Sequence, residues 1–452
     1  MAGEREFGVL VLGATGFTGA EVCVHLARTI SQGSFPAVAW AIGGRSEARM
    51  EEKVLSRLRA EGLPLPTGVL AADNTKPEEL SAAVGRARLC LNCTGPYRFL
   101  GETVVQSCVE AGTDYADLCG EPEFMQRMVL EHHQAAQDKQ TLILHACAFD
   151  SVPADLGCLF AARQFQEPAV CSSVESFLTL HSGPSGLKGH STTYEAAVHG
   201  MGAVDSLRRV RKEVQQKFPA PEVPRVGPCP QERQGPFFEE RAGINAYCFR
   251  FPGADASVVR STQASLARNG QASVGRCPHY SAYLTVGDAW GAGLMALFGG
   301  IFQTLARSGW GRSLLLKYPG AFTNGYCSAE GPSRQQLEEA SFSMTFVARG
   351  YPSLAGDSAD VEGVSSTSGT SAATEDCGEP TMTCVTKVAG PEPGYVATPI
   401  IFLAVARCLL EERDALPVRG GVFTPGAVLL DSSLLEHLRE GGVTFDLVAS
   451  AS

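Results

Sequence analysis

Basic charge is in short supply in this 452-residue chain: 37 lysines and arginines stand against 48 aspartates and glutamates, a formal net charge of -11. Such a surface lacks the excess cation that counterion release from phosphates requires, which argues against a general nucleic-acid binder. Charged residues make up only 19% of the chain and apolar ones 44%, the balance of a globular chain rather than a disordered one. Cysteine is plentiful at 15 residues, but paired CxxC motifs at the separations of a structural zinc site are missing, so no metal site is expected. Cys90, Cys93, Cys108, Cys147 and Cys158 fall inside apolar patterns, where thiols act as small hydrophobes, and reduced cysteines in an intracellular protein are expected. The polar start, Met1 to Glu6, carries no apolar leader and runs straight into a strand pattern, so the cytosolic side is the expected location. Internal repeats are also lacking.

What is present is an alternation. Short apolar runs at 7–12, 38–42, 68–71, 89–93, 115–116 and 141–146 are separated by helical spacing at 19–30, 47–61, 77–86, 102–111 and 121–138. Continuous apolar strands between helices predict a parallel sheet covered on both faces, a doubly wound α/β domain over residues 1–165. From about residue 170 the runs lengthen and turn β-branched and aromatic (174–181, 246–251, 280–286, 342–348, 382–388), with few crossover-length helices between them. That texture predicts a second, mixed α/β domain over 166–393. Residues 354–380 are rich in Ser, Thr, Gly, Asp and Glu, and read as a mobile insertion in a hairpin. Residues 394–452 are expected to return to the first domain.

The first strand runs into Gly13-Ala14-Thr15-Gly16-Phe17-Thr18-Gly19 at the start of a helix. In this GxxGxxG turn Gly13 permits the tight bend, Gly16 a close backbone approach to a pyrophosphate, and Gly19 close helix–strand packing. The helix end then offers free N–H groups and a positive dipole to the phosphates. The second strand ends in Gly44-Arg45-Ser46, without the carboxylate that would bind a ribose 2′-hydroxyl. A guanidinium there suits a 2′-phosphate, so NADP(H) is the expected cofactor. Asp73 is placed near the adenine or as a helix cap, and Thr94-Gly95-Pro96 along the nicotinamide half of the crevice.

GATGFTG, GGRS, NCTGPYRFLGE, DLCGE, FDSVPADLG, VESFLTLHSGP and PEPGYVATP occur in this order, and together they resemble the saccharopine dehydrogenase-like oxidoreductases over residues 7–448. The chain is similar, more distantly, to saccharopine reductases and to bacterial trans-acting enoyl reductases of glycolipid synthesis. The resemblance implies a Rossmann domain, an inserted mixed domain and a C-terminal segment packing back on the first. It also implies an oxidoreductase whose substrate is unsettled at family level, and association with lipid droplets.

Hydride transfer asks the protein to place the acceptor and supply a proton. Tyr97, Asp117 and Asp150 lie at the expected crevice edge and are the candidates, with helix capping the competing role for the two acids and burial for Tyr97. His181, at a strand end of the second domain, is read as a satisfied surface histidine. Saccharopine carries several charges and would need fixed cations that the apolar strands do not supply, so it is not the expected substrate. Residues 289–306 carry no charge and are flanked by Trp290, Trp310 and the cations Arg307, Arg312 and Lys317. That pattern resembles a membrane-interface border, and the Gly299–Gly300 pair is expected to bend it into a shallow hairpin on a lipid monolayer. A buried interdomain helix or a homodimer contact is the competing use. Two functions follow: reduction of an apolar, lipid-like bond at a membrane or lipid-droplet surface, or a non-catalytic nucleotide-binding protein recruited to lipid.

Overall fold

Phe7–Leu12 (β1) is an unbroken apolar run, and every one of its residues is buried. Only a strand covered on both faces can use such a run. The computed structural model, which describes residues 5–219, 225–268, 277–353 and 378–451, places β1 in the interior of a seven-stranded parallel sheet. Its other strands are Trp40–Gly44 (β2), Gly68–Ala71 (β3), Ala87–Asn92 (β4), Asp114–Asp117 (β5) and Leu142–Leu144 (β6), completed from far along the chain by Gly421–Phe423 (β15). The order is β15-β6-β5-β4-β1-β2-β3, the doubly wound arrangement with one strand added. Its switch point lies between β1 and β4, where Leu12 is level with both Gly43 and Asn92.

The second sheet runs β16-β14-β13-β7-β11-β10-β9. Its strands are Val170–His181 (β7), Phe237–Glu239 (β9), Ala246–Arg250 (β10), His279–Val286 (β11), Ser341–Tyr351 (β13), Met382–Pro391 (β14) and Thr444–Ala449 (β16), while Gly189–His190 (β8) pairs separately with Cys327–Ser328 (β12). All neighbours in the large sheet are antiparallel except β7 and β11. A parallel pair needs a long crossover, and the helices Ser191–Met201, Val204–Lys217 and Asp255–Arg268 lie within it. The expectation of few helices in this region is therefore corrected. β13 and β14 form the hairpin around the predicted insertion, of which residues 354–377 lie outside the described residues.

The C-terminal segment does more than return to the first domain: β15 extends the first sheet and β16 the second. Ahead of both strands the helix Thr398–Glu411 buries most of its apolar surface against the first sheet and its first helix. One hydrophobic cluster accordingly contains residues of both sheets, Val9 and Leu91 with Phe342 and Phe346. Gly157 marks how closely they join, since a Cβ there would overlap the Phe346 ring.

Ala289–Ala306 forms one continuous helix through Gly299 and Gly300, which corrects the expected hairpin bend. Glycine weakens a helix interior by about 1 kcal/mol relative to alanine, a cost the surrounding turns absorb. Only 11% of this helix is buried, whereas the other helix among the described residues that is long and apolar enough to cross a membrane, Pro393–Glu411, is 72% buried core.

Candidate active site and dinucleotide crevice

Gly13 has a φ of +75°, a conformation that disfavours other residues. A Cβ there would also come within 2.7 Å of Thr94 Oγ1 and 2.9 Å of the Cys93 carbonyl carbon, so the turns after β1 and β4 press together across the switch point. Gly19 is needed for a different reason: a Cβ on it would overlap the Gly13 carbonyl. Gly16 is exposed and meets only the Gly13 carbonyl oxygen, at 3.3 Å. The helix Phe17–Ser31 that follows has no side-chain cap and no acid in its first turn. The end is bare and positive, and the small turn leaves it open to an anion. Thr15 and Thr18 flank it with partly exposed side chains. Phe17 turns its ring to Tyr395, edge-on at 4.6 Å, and to His190 at 5.3 Å, so only its main chain faces the open helix end.

Arg45 is exposed and makes no hydrogen bond or ion pair among the described residues. Ser46 accepts from Arg49 N and caps the next helix. Asp73 accepts from the Thr75 N–H and hydroxyl, which hold its carboxyl below the usual range, with a smaller contribution from Arg45. It takes the turn-capping role and lies near enough to Arg45 for their charges to interact. Thr94, Gly95 and Pro96 stay partly open at the end of β4, where Thr94 N donates to Asn92 Oδ1.

The three proton-donor candidates share this edge but differ in what they can do. Tyr97 is buried; its hydroxyl donates to the Asn92 carbonyl at 2.8 Å and accepts from Leu118 N. Both hydrogen bonds hold the hydroxyl inside the protein, so Tyr97 takes the buried, structural role and staples the β4 turn to the β5 turn. Asp117 is fully buried and its oxygens receive the N–H groups of Cys119 and Ala146, the Tyr115 hydroxyl and His145 Nδ1. Its lone pairs are used, and it too is structural. Asp150 differs. It keeps part of its surface open, lies over Gly120, where a Cβ would approach its Oδ2 to 2.7 Å, and has its carboxyl pushed up by the protein around it.

Two further acids stand near Asp150. Burial, reinforced by Asp150, pushes the Asp255 carboxyl up to about 8, and burial pushes Asp155 up to about 6. Asp155 Oδ2 is held by the Thr262 hydroxyl and Gly426 N, while its Oδ1 has no partner. Asp255 opens the helix Asp255–Arg268 of the second domain, so domain packing brings it to the loop after β6. The sequence argument missed it, because an acid ahead of a helix reads as an ordinary cap. It also missed the Arg98–Glu121 pair at 2.7 Å, nearly buried, which ties NCTGPYR to DLCGE. His181 pairs with Ser343 Oγ at 2.8 Å, as a satisfied histidine should.

The saccharopine dehydrogenase NADP binding domain matches residues 9–144. The chain is 37% identical over 452 residues to the human saccharopine dehydrogenase-like oxidoreductase, covering 99% of each. It is 30% identical to a lipid droplet localized protein of Caenorhabditis elegans, covering 98% of each. A solved structure of saccharopine dehydrogenase (L-Glu forming) from Saccharomyces cerevisiae shares the fold, with a TM-score of 0.53 at 12% identity, covering 98% of this chain and 99% of that one.

Proposed function

Since the chain belongs to the saccharopine dehydrogenase-like oxidoreductases, we propose that it binds NADP(H) and reduces an apolar, lipid-like substrate at a membrane or lipid-droplet surface. The residues present fit the dinucleotide: Gly13, Gly16 and Gly19 leave the helix end uncovered, Thr15, Thr18 and the Phe17 main chain border it, and Arg45 offers an unpaired guanidinium to a 2′-phosphate. When bound, the nicotinamide supplies the hydride. Thr94, Gly95 and Pro96 border the place for its ring, and Tyr97 and Asp117 fix that border rigidly. Asp150 presents a proton from its open side. Asp255, protonated at neutral pH, stands behind it as a neutral neighbour and keeps a second negative charge out of the crevice.

The observation that carries the lipid reading is the helix Ala289–Ala306. Trp290 is 76% exposed and Leu297 59%, with Met295 and Ile301 beside them, and Trp310 is 73% exposed at the start of the next helix. An uncovered apolar helix bordered by tryptophans and by Arg307 and Lys317 matches the chemistry of a lipid–water interface. Arg98 at the crevice is already paired with Glu121, which lessens its use for the charged ends of saccharopine.

Incubation with 4-deuterated NADPH and a cell lipid extract, followed by mass spectrometry, tests the enzyme. Deuterium in a lipid product is the expected result. Tight NADPH binding with no label in any product would instead support a nucleotide-binding protein without catalysis.

A further inference from the structure

The helix Thr398–Glu411 ends with Cys408 one turn ahead of Glu412, and the helix Leu434–Glu440 packs His437 against them. One donor atom from each of the three, Sγ, a carboxylate oxygen and a ring nitrogen, lies within 4.8 Å of the other two. Cys408 is fully buried and its Sγ accepts from the Ser432 hydroxyl, the Glu412 carboxylate accepts from Ser433 N, and the His437 side chain is only 8% exposed. Yet neither ring nitrogen of His437 has a hydrogen-bond partner. The nearest carboxylate oxygens outside the trio, on Glu411 and Glu440, stand 3.8 Å away, too far to bond, and Arg407 holds both of those acids. A buried imidazole without a partner is costly, and native proteins seldom leave one so.

We propose that Cys408, Glu412 and His437 form a zinc site. The donor set selects the metal: calcium and magnesium call for oxygens alone, whereas a thiolate, an imidazole and a carboxylate suit Zn²⁺. Zinc-to-ligand bonds of about 2.0–2.3 Å put tetrahedral ligands roughly 3.3–3.8 Å apart, so the three groups draw in by at most about 1.5 Å when the ion enters. Binding displaces the Cys408 proton to solvent and leaves a fourth position for water. A cleft of about 240 Å³ lined by Leu416, Ala427, Leu430 and Ser432 reaches Glu412, the one ligand of the three that it touches. Because β15 and β16 lie on either side of the helix Leu434–Glu440, the metal clasps the segment that joins the two sheets. CxxC spacing does not reveal such a site, since its third ligand comes from another helix.

The test uses the full chain, stripped with a chelator, given one equivalent of zinc under a non-thiol reductant and dialysed. We expect one zinc retained per chain and a higher thermal midpoint than in the stripped protein. Cys408→Ser and His437→Gln, each checked for native circular dichroism, should retain none and show no thermal shift, while Cys229→Ala, at an exposed thiol, retains the full equivalent. Should either variant misfold, cobalt bound to the unaltered chain gives a thiolate charge-transfer band if Cys408 is a ligand. No retained zinc in the unaltered protein, full retention in the two site variants, or cobalt binding without that band overturns the proposal.

Discussion

Arg45→Ala isolates the part of cofactor binding that depends on the 2′-phosphate. The guanidinium is exposed and bonds to nothing in the described protein, so its loss removes no internal contact, and stability should move by no more than about 0.5 kcal/mol. A hydrogen bond to a charged group contributes roughly 1.5–3 kcal/mol, which converts to about 10- to 150-fold in affinity. The open setting admits water and salt, so the lower end applies, about tenfold at physiological ionic strength and more at low salt. Isothermal titration of NADPH and NADH against both proteins measures this directly. NADPH should weaken about tenfold in the variant, NADH should hardly change, and the NADPH difference should shrink as salt rises. An equal loss for both cofactors, or no loss for either, would refute the assignment: in the first case Arg45 supports the turn, in the second the phosphate is held elsewhere.

Tyr97→Phe should behave unlike a catalytic change. Removing the hydroxyl leaves the Asn92 carbonyl and the Leu118 N–H without their buried partner, so denaturant melts should show a loss of about 1–3 kcal/mol. Label transfer per folded molecule should remain, and its disappearance at unchanged stability would return Tyr97 to the proton donors. Asp255→Asn probes the buried acids through pH. Burial first, then Asp150, raises this carboxyl from 3.8 to about 8, so the folded chain binds the extra proton across that window. Its contribution to stability is complete below the unfolded value and is lost as pH rises from about 4 to about 8. The amide cannot ionise, so urea melts at pH 5 and pH 8.5 should show the variant gaining on the parent at the higher pH. Parallel pH profiles would show that Asp255 ionises in place like an exposed acid.

The first sheet was legible because its signals are local. β1 and β3 follow from short apolar runs with their expected bounds, and the helix Glu102–Ala111 stops at Gly112, which takes the left-handed φ of +68°. The glycine turn was legible for the same reason, since Gly13, Gly16 and Gly19 act within seven residues. The second sheet was less so. Its parallel partners β7 and β11 start 109 residues apart, and β16 finds β14 only through packing that no window of sequence contains. The site divides along the same line. Local pattern placed Tyr97 and Asp117 at the ends of the fourth and fifth strands, but the groups that occupy their polar atoms come largely from the next loops. Residue type and position propose a role; the hydrogen bonds left over after folding decide it. By that criterion Tyr97 and Asp117 are spent, whereas Arg45, without a partner among the described residues, Asp150, partly open, and His437, with neither nitrogen hydrogen-bonded, keep capacity for a ligand. Chemistry in this chain should therefore be sought at groups the fold leaves unsatisfied, and these come from separate segments of the chain, not from one motif.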